Sequence, residues 1–131
     1  MDKLLLVVCL ITLAVPVAAA ELPAADAALI QGAGVPLYPA ATFATGNKDV
    51  GFRFATSEDP ETVRKWYQEK LAAWSLFDKY DSWILYHGEP GASMGDLMSL
   101  SQVQVQANEN LPEWHGVDKS MTTEIVIMVV Q

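Results

Sequence analysis

The sequence predicts an α+β domain in which a mainly antiparallel, curved sheet of about six strands packs against one main helix. One segment, residues 60–73, has helical hydrophobic spacing, whereas several short segments alternate with period two or are rich in β-branched residues. Short turns separate them, giving the order β-β-α-β-β-β-β. Because one helix cannot cover both faces of such a sheet, we expect the sheet to curl, expose one face or bind a partner.

The first 20 residues have the pattern of a secretory signal peptide. Lys3 lies in a short charged start, an apolar run follows from Leu4 to Val15, and the small residues Ala18 and Ala20 suit cleavage after Ala20. The run is shorter than the roughly 20 apolar residues of a transmembrane helix. We therefore expect export to the periplasm or the extracellular space, with retention as an N-terminal anchor as the alternative.

The expected mature chain is acidic and contains no cysteine. The sequence has 16 Asp plus Glu against 8 Lys plus Arg, for a net charge of −8, and its one cysteine, Cys9, lies within the apolar run. Nucleic-acid binding needs a basic surface, so we expect no nucleic-acid partner. Without thiols, the domain has no cysteine nucleophile or cysteine-ligated metal, and a packed core must stabilise it. We expect no membrane association after cleavage.

Residues 21–36 are rich in alanine, glycine and proline and are predicted to be a leader segment. Within this segment, Asp26 to Gln31 can form a helical turn that Gly32 ends. The remaining residues, 37–131, are predicted to form a single α+β domain, since their length suits one domain.

A first hairpin is predicted directly after the leader. Strands at 41–45 and 50–56 flank a Gly-Asn-Lys-Asp turn, whose glycine and asparagine tolerate positive φ. Val50, Phe52 and Phe54 occupy alternate positions of the second strand. The period of two predicts that these three side chains face the core.

The main helix is predicted over residues 60–73. Asp59 is suited to the N-cap and Pro60 to the first helical position. Glu61 and Lys65 are spaced for an i,i+4 ion pair. The apolar stripe of this helix consists of Val63, Trp66, Tyr67, Leu71 and Trp74.

Four more strands are predicted after the helix. Strands at 75–80 and 83–87 form a second hairpin around a turn at Asp81–Ser82. In the strand at 102–107, Gln102, Gln104 and Gln106 alternate with valine and alanine, which predicts one dry face and one glutamine-lined wet face. The strand at 122–130 is apolar on both faces, which is typical of a strand in the middle of a sheet.

Five segments occur in an order that resembles a loose group of small bacterial exported or lipoprotein domains of unknown function. They are PLYPAA at 36–41, TSEDPETV at 56–63, WY at 66–67, LAAW at 71–74 and TEIVI at 123–127. The pattern of that group runs YPGA…DSPEEVxxFYxxxLxxW…TEIxIxV. Here Ala40 stands in place of glycine and Trp66 in place of phenylalanine. The resemblance implies an exported α+β domain from a bacterium and brings no catalytic residue.

No motif predicts catalysis, a cofactor or a metal site. Gly91, Ser93 and Gly95 have the spacing of a nucleophile elbow, but that turn belongs to large parallel α/β sheets, so we interpret them as a loop. His87 and His115 have carboxylates nearby in sequence but lack the spacing of metal ligands. We therefore assign no catalytic, cofactor-binding or metal-binding residue.

Aromatic residues give the better indication of a binding surface. Trp83 and Tyr86 are predicted to face opposite sides of one strand, and Trp114 and His115 lie in a polar loop with no evident core role. Exposed aromatic residues are typical of interfaces, whereas most aromatic residues pack in cores. These four residues are the candidate binding surface, with core packing as the alternative.

Together these observations favour a non-enzymatic, exported domain that binds or supports another component of the cell envelope, or that pairs with a second copy of itself. A small hydrolase acting on cell-wall or extracellular polymers is an alternative, which requires a cleft with convergent polar groups. A weaker alternative is an acidic inhibitor of a basic secreted enzyme, whose encounter the opposite charges would accelerate.

Overall fold

The computed structural model of the protein describes residues 21–109 and 117–130. Within these ranges, six strands form one open antiparallel sheet, and one main helix packs on it. The predicted α+β fold is therefore confirmed. The predicted signal peptide and two candidate surface residues, Trp114 and His115, lie outside the described residues. No helix in the described ranges has the length and apolar character needed to cross a membrane.

The strand order of the sheet is not the order of the chain. In chain order, the elements are α1 (Ala24–Gly32), β1 (Thr42–Asn47), β2 (Gly51–Thr56), α2 (Pro60–Lys70), β3 (Ser75–Lys79), β4 (Ser82–Tyr86), α3 (Met94–Leu97), β5 (Gln102–Ala107) and β6 (Thr123–Met128). The sheet order is β1-β2-β6-β5-β4-β3. The apolar strand β6 thus lies between β2 and β5, which confirms its predicted central position.

The helical turn predicted in the leader is present as α1, and the leader packs on the domain. Ile30 of α1 and Val35 after it are buried in the main core, at 1% and 3% exposure. The chain leaves α1 through Gly34, whose φ of +83° is a conformation that favours glycine.

The turn of the first hairpin lies two residues later than predicted. The side-chain oxygen of Asn47 accepts hydrogen bonds from the N–H groups of Asp49 and Val50, at 2.8 and 3.2 Å, so residues 48–50 form the turn. Val50 is consequently exposed, and its predicted inward position was wrong. Gly46 lies within β1 and not in the turn. Only glycine fits at this position, because the Gly51 carbonyl oxygen lies directly against the place that a Cβ would occupy.

Helix α2 begins as predicted and ends three residues early. The Asp59 side chain accepts a hydrogen bond from the Thr62 N–H at 2.8 Å, and Pro60 occupies the first turn. The helix ends at Lys70 because the chain turns there to bring Ser75 to β3. The predicted Glu61–Lys65 pair was wrong: Glu61 pairs with Arg64 at 2.9 Å.

We expect replacement of the Asp59 N-cap by alanine to lower the melting temperature, whereas Asp59→Asn, which keeps a capping oxygen, should largely preserve it. The hydrogen bond from the Thr62 backbone holds the pKa of Asp59 below its ordinary value. The stabilisation by the carboxylate is therefore present above the ordinary aspartate pKa of about 3.9 and is lost as the pH falls through the lower folded-state value. Thermal unfolding followed by circular dichroism at pH 7 and pH 2 tests this. An unchanged wild-type-to-alanine difference between these pH values would contradict it.

The main core fills the space between the sheet and the helices α1 and α2. Val63, Tyr67 and Leu71 of the predicted stripe are buried there, while Trp66 and Trp74 pack against it partly exposed. The sheet contributes a continuous apolar surface, formed by Phe52, Phe54, Trp83, Leu85, Val103, Val105, Ile125 and Ile127.

The second hairpin turns at Tyr80–Asp81, one residue before the predicted turn. Both residues have positive φ, of 55° and 61°, which is the geometry of a two-residue type I′ turn. Lys79 and Ser82 are accordingly the last paired residues of β3 and β4. The turn lies one residue earlier than predicted because a type I′ turn, the mirror image of type I, matches the right-handed twist of the two strands.

The second face of the sheet is mixed rather than wholly wet. Gln102, predicted on the wet face, is only 3% exposed because its amide donates to the Leu97 carbonyl oxygen at 2.6 Å beneath α3. In the centre of this face, Glu124 is fully buried. Its carboxylate accepts hydrogen bonds from Arg53 at 2.8 Å and from Gln106 at 2.7 Å. Glu124 on this face is therefore bonded to the polar side chains beside it.

Candidate functional site

Strand β3 forms an outer edge of the sheet beside helix α2. It pairs with β4 in regular register over residues 75–79. A two-residue turn is flanked by a hydrogen-bonded pair, which here is Lys79–Ser82. Hydrogen-bonded and non-hydrogen-bonded pairs then alternate along the hairpin, so Leu76 and Asp78 belong to non-hydrogen-bonded pairs. Their backbone N–H and C=O groups point away from β4. Among the described residues, no strand lies beyond them.

A groove of about 630 Å³ runs along this edge between β3 and α2. Trp83, which is 8% exposed, forms part of its lining together with Leu76, which is 39% exposed. Asp78 pairs with Trp83 across the hairpin, so the two side chains share this face of the sheet. From the helix, the lining residues are Glu61, Thr62, Arg64, Lys65 and Gln68.

Arg64 holds the helix side of the groove in place. Its Nε and one terminal nitrogen donate to the Val105 carbonyl oxygen at 3.1 and 2.9 Å, and its other terminal nitrogen donates to Glu61 at 2.9 Å. The guanidinium also lies 5.7 Å from the centre of the Trp83 ring, in cation–π geometry. One side chain thus links helix, sheet and groove lining, so the groove exists before any ligand arrives.

An extended chain added beside β3 would use both features together. Its backbone would bond to the outward groups of Leu76 and Asp78, and every second side chain would point to the groove. This combination of sheet edge and adjoining groove is the geometry of peptide recognition by strand addition.

The opposite edge of the sheet is less suited to such pairing. Strand β1 pairs with β2 through a register shift between Phe43 and Thr45, and Ala44 at the irregularity is buried. A bulge bends an edge strand and interrupts the alternation of its free groups, which opposes the addition of another strand. The regular edge is therefore β3.

Trp83 and Tyr86, the two residues of the predicted binding surface that the structure describes, lie on opposite faces of the sheet. Trp83 lies in the main core and Tyr86, at 1% exposure, in a second cluster on the other face of β4. The Tyr86 hydroxyl donates to the Glu89 carbonyl oxygen at 2.9 Å and accepts from the Ala92 N–H at 3.1 Å. Of the two candidates that the structure describes, Trp83 lines the groove and Tyr86 does not.

Ser93 and His87, which the sequence offered for catalysis and for metal binding, have structural partners in the part of the chain that the structure describes. The hydroxyl of Ser93 caps α3 by accepting from the Asp96 N–H at 3.2 Å, and the Ser93 N–H donates to the Asp96 carboxylate at 2.9 Å. These bonds hold the pKa of Asp96 below its ordinary value. The exposed His87 ring stacks on Trp74, with ring centres 5.1 Å apart. Over the described ranges, no group of three or more histidine and carboxylate side chains is arranged to hold a metal ion.

Sequence reasoning missed Arg64, Leu76 and Asp78 as residues of the groove. The alternation of Leu76, Phe77 and Asp78 shows that the first and third share a face. The edge position of β3, however, depends on the pairing of β6 with β2 and β5, which are distant in the chain. No local pattern carries that information.

Comparison of the chain with protein-family models, with curated proteins and with solved structures found no match in any of the three.

Proposed function

We propose that this protein is an exported, non-enzymatic binding domain that takes an extended segment of a partner polypeptide as an additional strand beside β3. The observation that carries the proposal is the regular edge of β3, with the outward backbone groups of Leu76 and Asp78 next to the groove. Export, and a role beside another component of the cell envelope, are supported by the signal-like residues 1–20.

The interactions available predict modest affinity. Two edge residues offer up to four backbone hydrogen bonds, each worth about 1 kcal/mol net. An apolar ligand side chain buried over Leu76 and Trp83 would add about 2 kcal/mol. Ordering a flexible peptide offsets part of this gain. These contributions total at most about 6 kcal/mol, so we expect dissociation constants between about 50 μM and 1 mM for short peptides.

Display of randomised ten-residue peptides, followed by fluorescence anisotropy with synthetic hits, tests the proposal. We expect Leu76→Pro to weaken binding at least about tenfold, because proline removes one outward N–H and obstructs the edge. The variant Leu76→Ala keeps the N–H and should lose only the side-chain contribution. Met98→Ala, which removes a highly exposed apolar side chain elsewhere, is the matched control. Equal peptide affinity of folded Leu76→Pro and wild type would refute strand addition.

Hydrogen exchange gives a second readout that does not depend on substitution. The amide protons of Leu76 and Asp78 point outward and should exchange rapidly in the free protein, then slowly in the peptide complex. Those of Phe77 and Lys79 bond to β4 and should already be protected. Peptide binding that leaves the Leu76 and Asp78 exchange rates unchanged would place the peptide elsewhere.

A further inference from the structure

We infer that the polypeptide taken by β3 lies antiparallel to it, like the other strands of the sheet, and carries lysine or arginine followed, two positions along, by an apolar residue, with the basic side chain opposite Asp78 and the apolar one opposite Leu76. The inference rests on the proposed strand addition and specifies the chemistry of its ligand. Residues two apart in an extended chain point to the same face, so both side chains would lie on the groove side.

The Leu76 position favours an apolar side chain. Leu76 is 39% exposed although it lies on the same face of the sheet as the main core, and Trp83 lines the groove beside it. A branched aliphatic side chain opposite Leu76 would cover this exposed apolar surface, which is a favourable cross-strand contact.

The Asp78 position favours a basic side chain. The first turn of α2 borders the same groove as the end of β3, since Glu61, Thr62 and Asp78 all line it. Glu61, in that first turn, and Asp78 are both exposed and both line the groove. The nearby cation, Arg64, is already bonded to Glu61 and to the Val105 carbonyl oxygen.

Lys65 also lines the groove, one turn further along α2 than Glu61. No ion pair within the described ranges involves Lys65 or Asp78. The Asp78 carboxylate is therefore available to a cation of the ligand.

The net charge of the protein supports a basic ligand rather than a second copy. At −8, two copies repel one another, whereas a basic segment is attracted. Symmetric pairing of two β3 strands about Phe77 would set each Asp78 opposite Leu76 of the other copy. That arrangement offers the carboxylate no cation, so the self-association of this edge is disfavoured.

Two capped synthetic peptides test the inference: Thr-Ser-Lys-Thr-Val-Thr-Ser and the same peptide with Glu in place of Lys. In 50 mM salt, anisotropy should show the lysine peptide binding about fivefold tighter. The preference should decline in 500 mM salt because screening weakens exposed charge pairs. Asp78→Lys should reverse the preference, whereas the matched charge change Glu69→Lys, on a helix residue outside the groove lining, should preserve it.

The outcomes separate this inference from the proposed function. If both peptides bind equally and protect the Leu76 amide from exchange, the basic preference is wrong and strand addition stands. Retention of the lysine preference in folded Asp78→Lys would also overturn the inference, since it would assign the preference to another residue. If neither these peptides nor displayed peptides protect that amide, strand addition itself is refuted.

Discussion

Replacing Tyr67 by alanine is expected to lower the free energy of unfolding by about 4 kcal/mol, within the range measured for large-to-small substitutions of buried aromatic residues. Tyr67 is fully buried between α2 and the sheet. Its ring contacts Trp66 edge-on, with ring centres 4.9 Å apart, and its hydroxyl donates to the Pro36 carbonyl oxygen at 3.0 Å. Truncation would therefore leave a cavity and release the leader from the core. Urea unfolding at pH 7 measures the loss.

The conservative variant Tyr67→Phe separates the ring from the hydroxyl. It keeps the packing and removes one hydrogen bond, so we expect a loss of only about 1 kcal/mol. A loss as large as that of Tyr67→Ala would assign the stabilisation to the hydroxyl rather than to the buried ring.

Tyr67→Phe also predicts a change in alkaline stability. Burial raises the pKa of Tyr67 above the ordinary tyrosine value. The stability linked to the protonated hydroxyl is present below the unfolded-state pKa of about 10 and is lost as the pH rises above it. The variant should lose less stability between pH 9 and pH 11 than wild type. Some loss should remain, because burial and Glu58 also raise the pKa of Tyr38.

Replacing the buried Glu124 by alanine is expected to cost about 3 kcal/mol. Its carboxylate is fully buried and bonded to both Arg53 and Gln106. Breaking a buried ion pair is costly because the remaining partner keeps its desolvation without its counter-charge. The loss lies at the lower end of the usual range because the Arg53 side chain is 36% exposed and water can reach it. The exposed control Glu69→Ala should change stability by less than about 0.5 kcal/mol.

A double-mutant cycle tests whether the ion pair causes this loss. The variants Glu124→Ala and Arg53→Ala, alone and combined, should give a coupling energy of about 1–3 kcal/mol in urea unfolding. Additive effects would show that Glu124 stabilises the sheet through packing or through Gln106 instead of through Arg53.

Local patterns in the sequence were sufficient for most of the fold. Asp59 and Pro60 mark the start of α2 because capping depends on neighbouring residues only. The continuous apolar character of β6 indicates a central strand because both of its faces are covered. The turns were displaced by one or two residues. At Tyr80–Asp81, the twist of the hairpin requires positive φ, although neither residue is a glycine or an asparagine that would indicate it. At Gly46, the glycine is needed for a close backbone approach within a strand and not for a turn.

The candidate site was less predictable because it depends on which strand is left at the edge. Trp83 was identified as an aromatic residue of interest, and it lines the groove largely buried. The pairing of Trp83 with Asp78 follows from the register of the second hairpin, and the position of Arg64 above the Trp83 ring follows from the packing of α2 on the sheet. Tyr86 faces the other side of the sheet, where its hydroxyl is hydrogen-bonded to the backbone of Glu89 and Ala92. The sequence can thus indicate which residue type is suited to binding, whereas the order of strands in the sheet decides whether that residue is accessible to a ligand.

The central position of β6 has a consequence for the order in which the protein can fold. The hairpin β1–β2 and the three-strand unit β3–β4–β5 make their connection within the sheet through β6 alone. During synthesis, both units precede β6, so neither can join the other until residues 123–128 have emerged. Pairings so distant in the chain also form slowly. Until then, the apolar surfaces of two incomplete sheets stay accessible to chaperones.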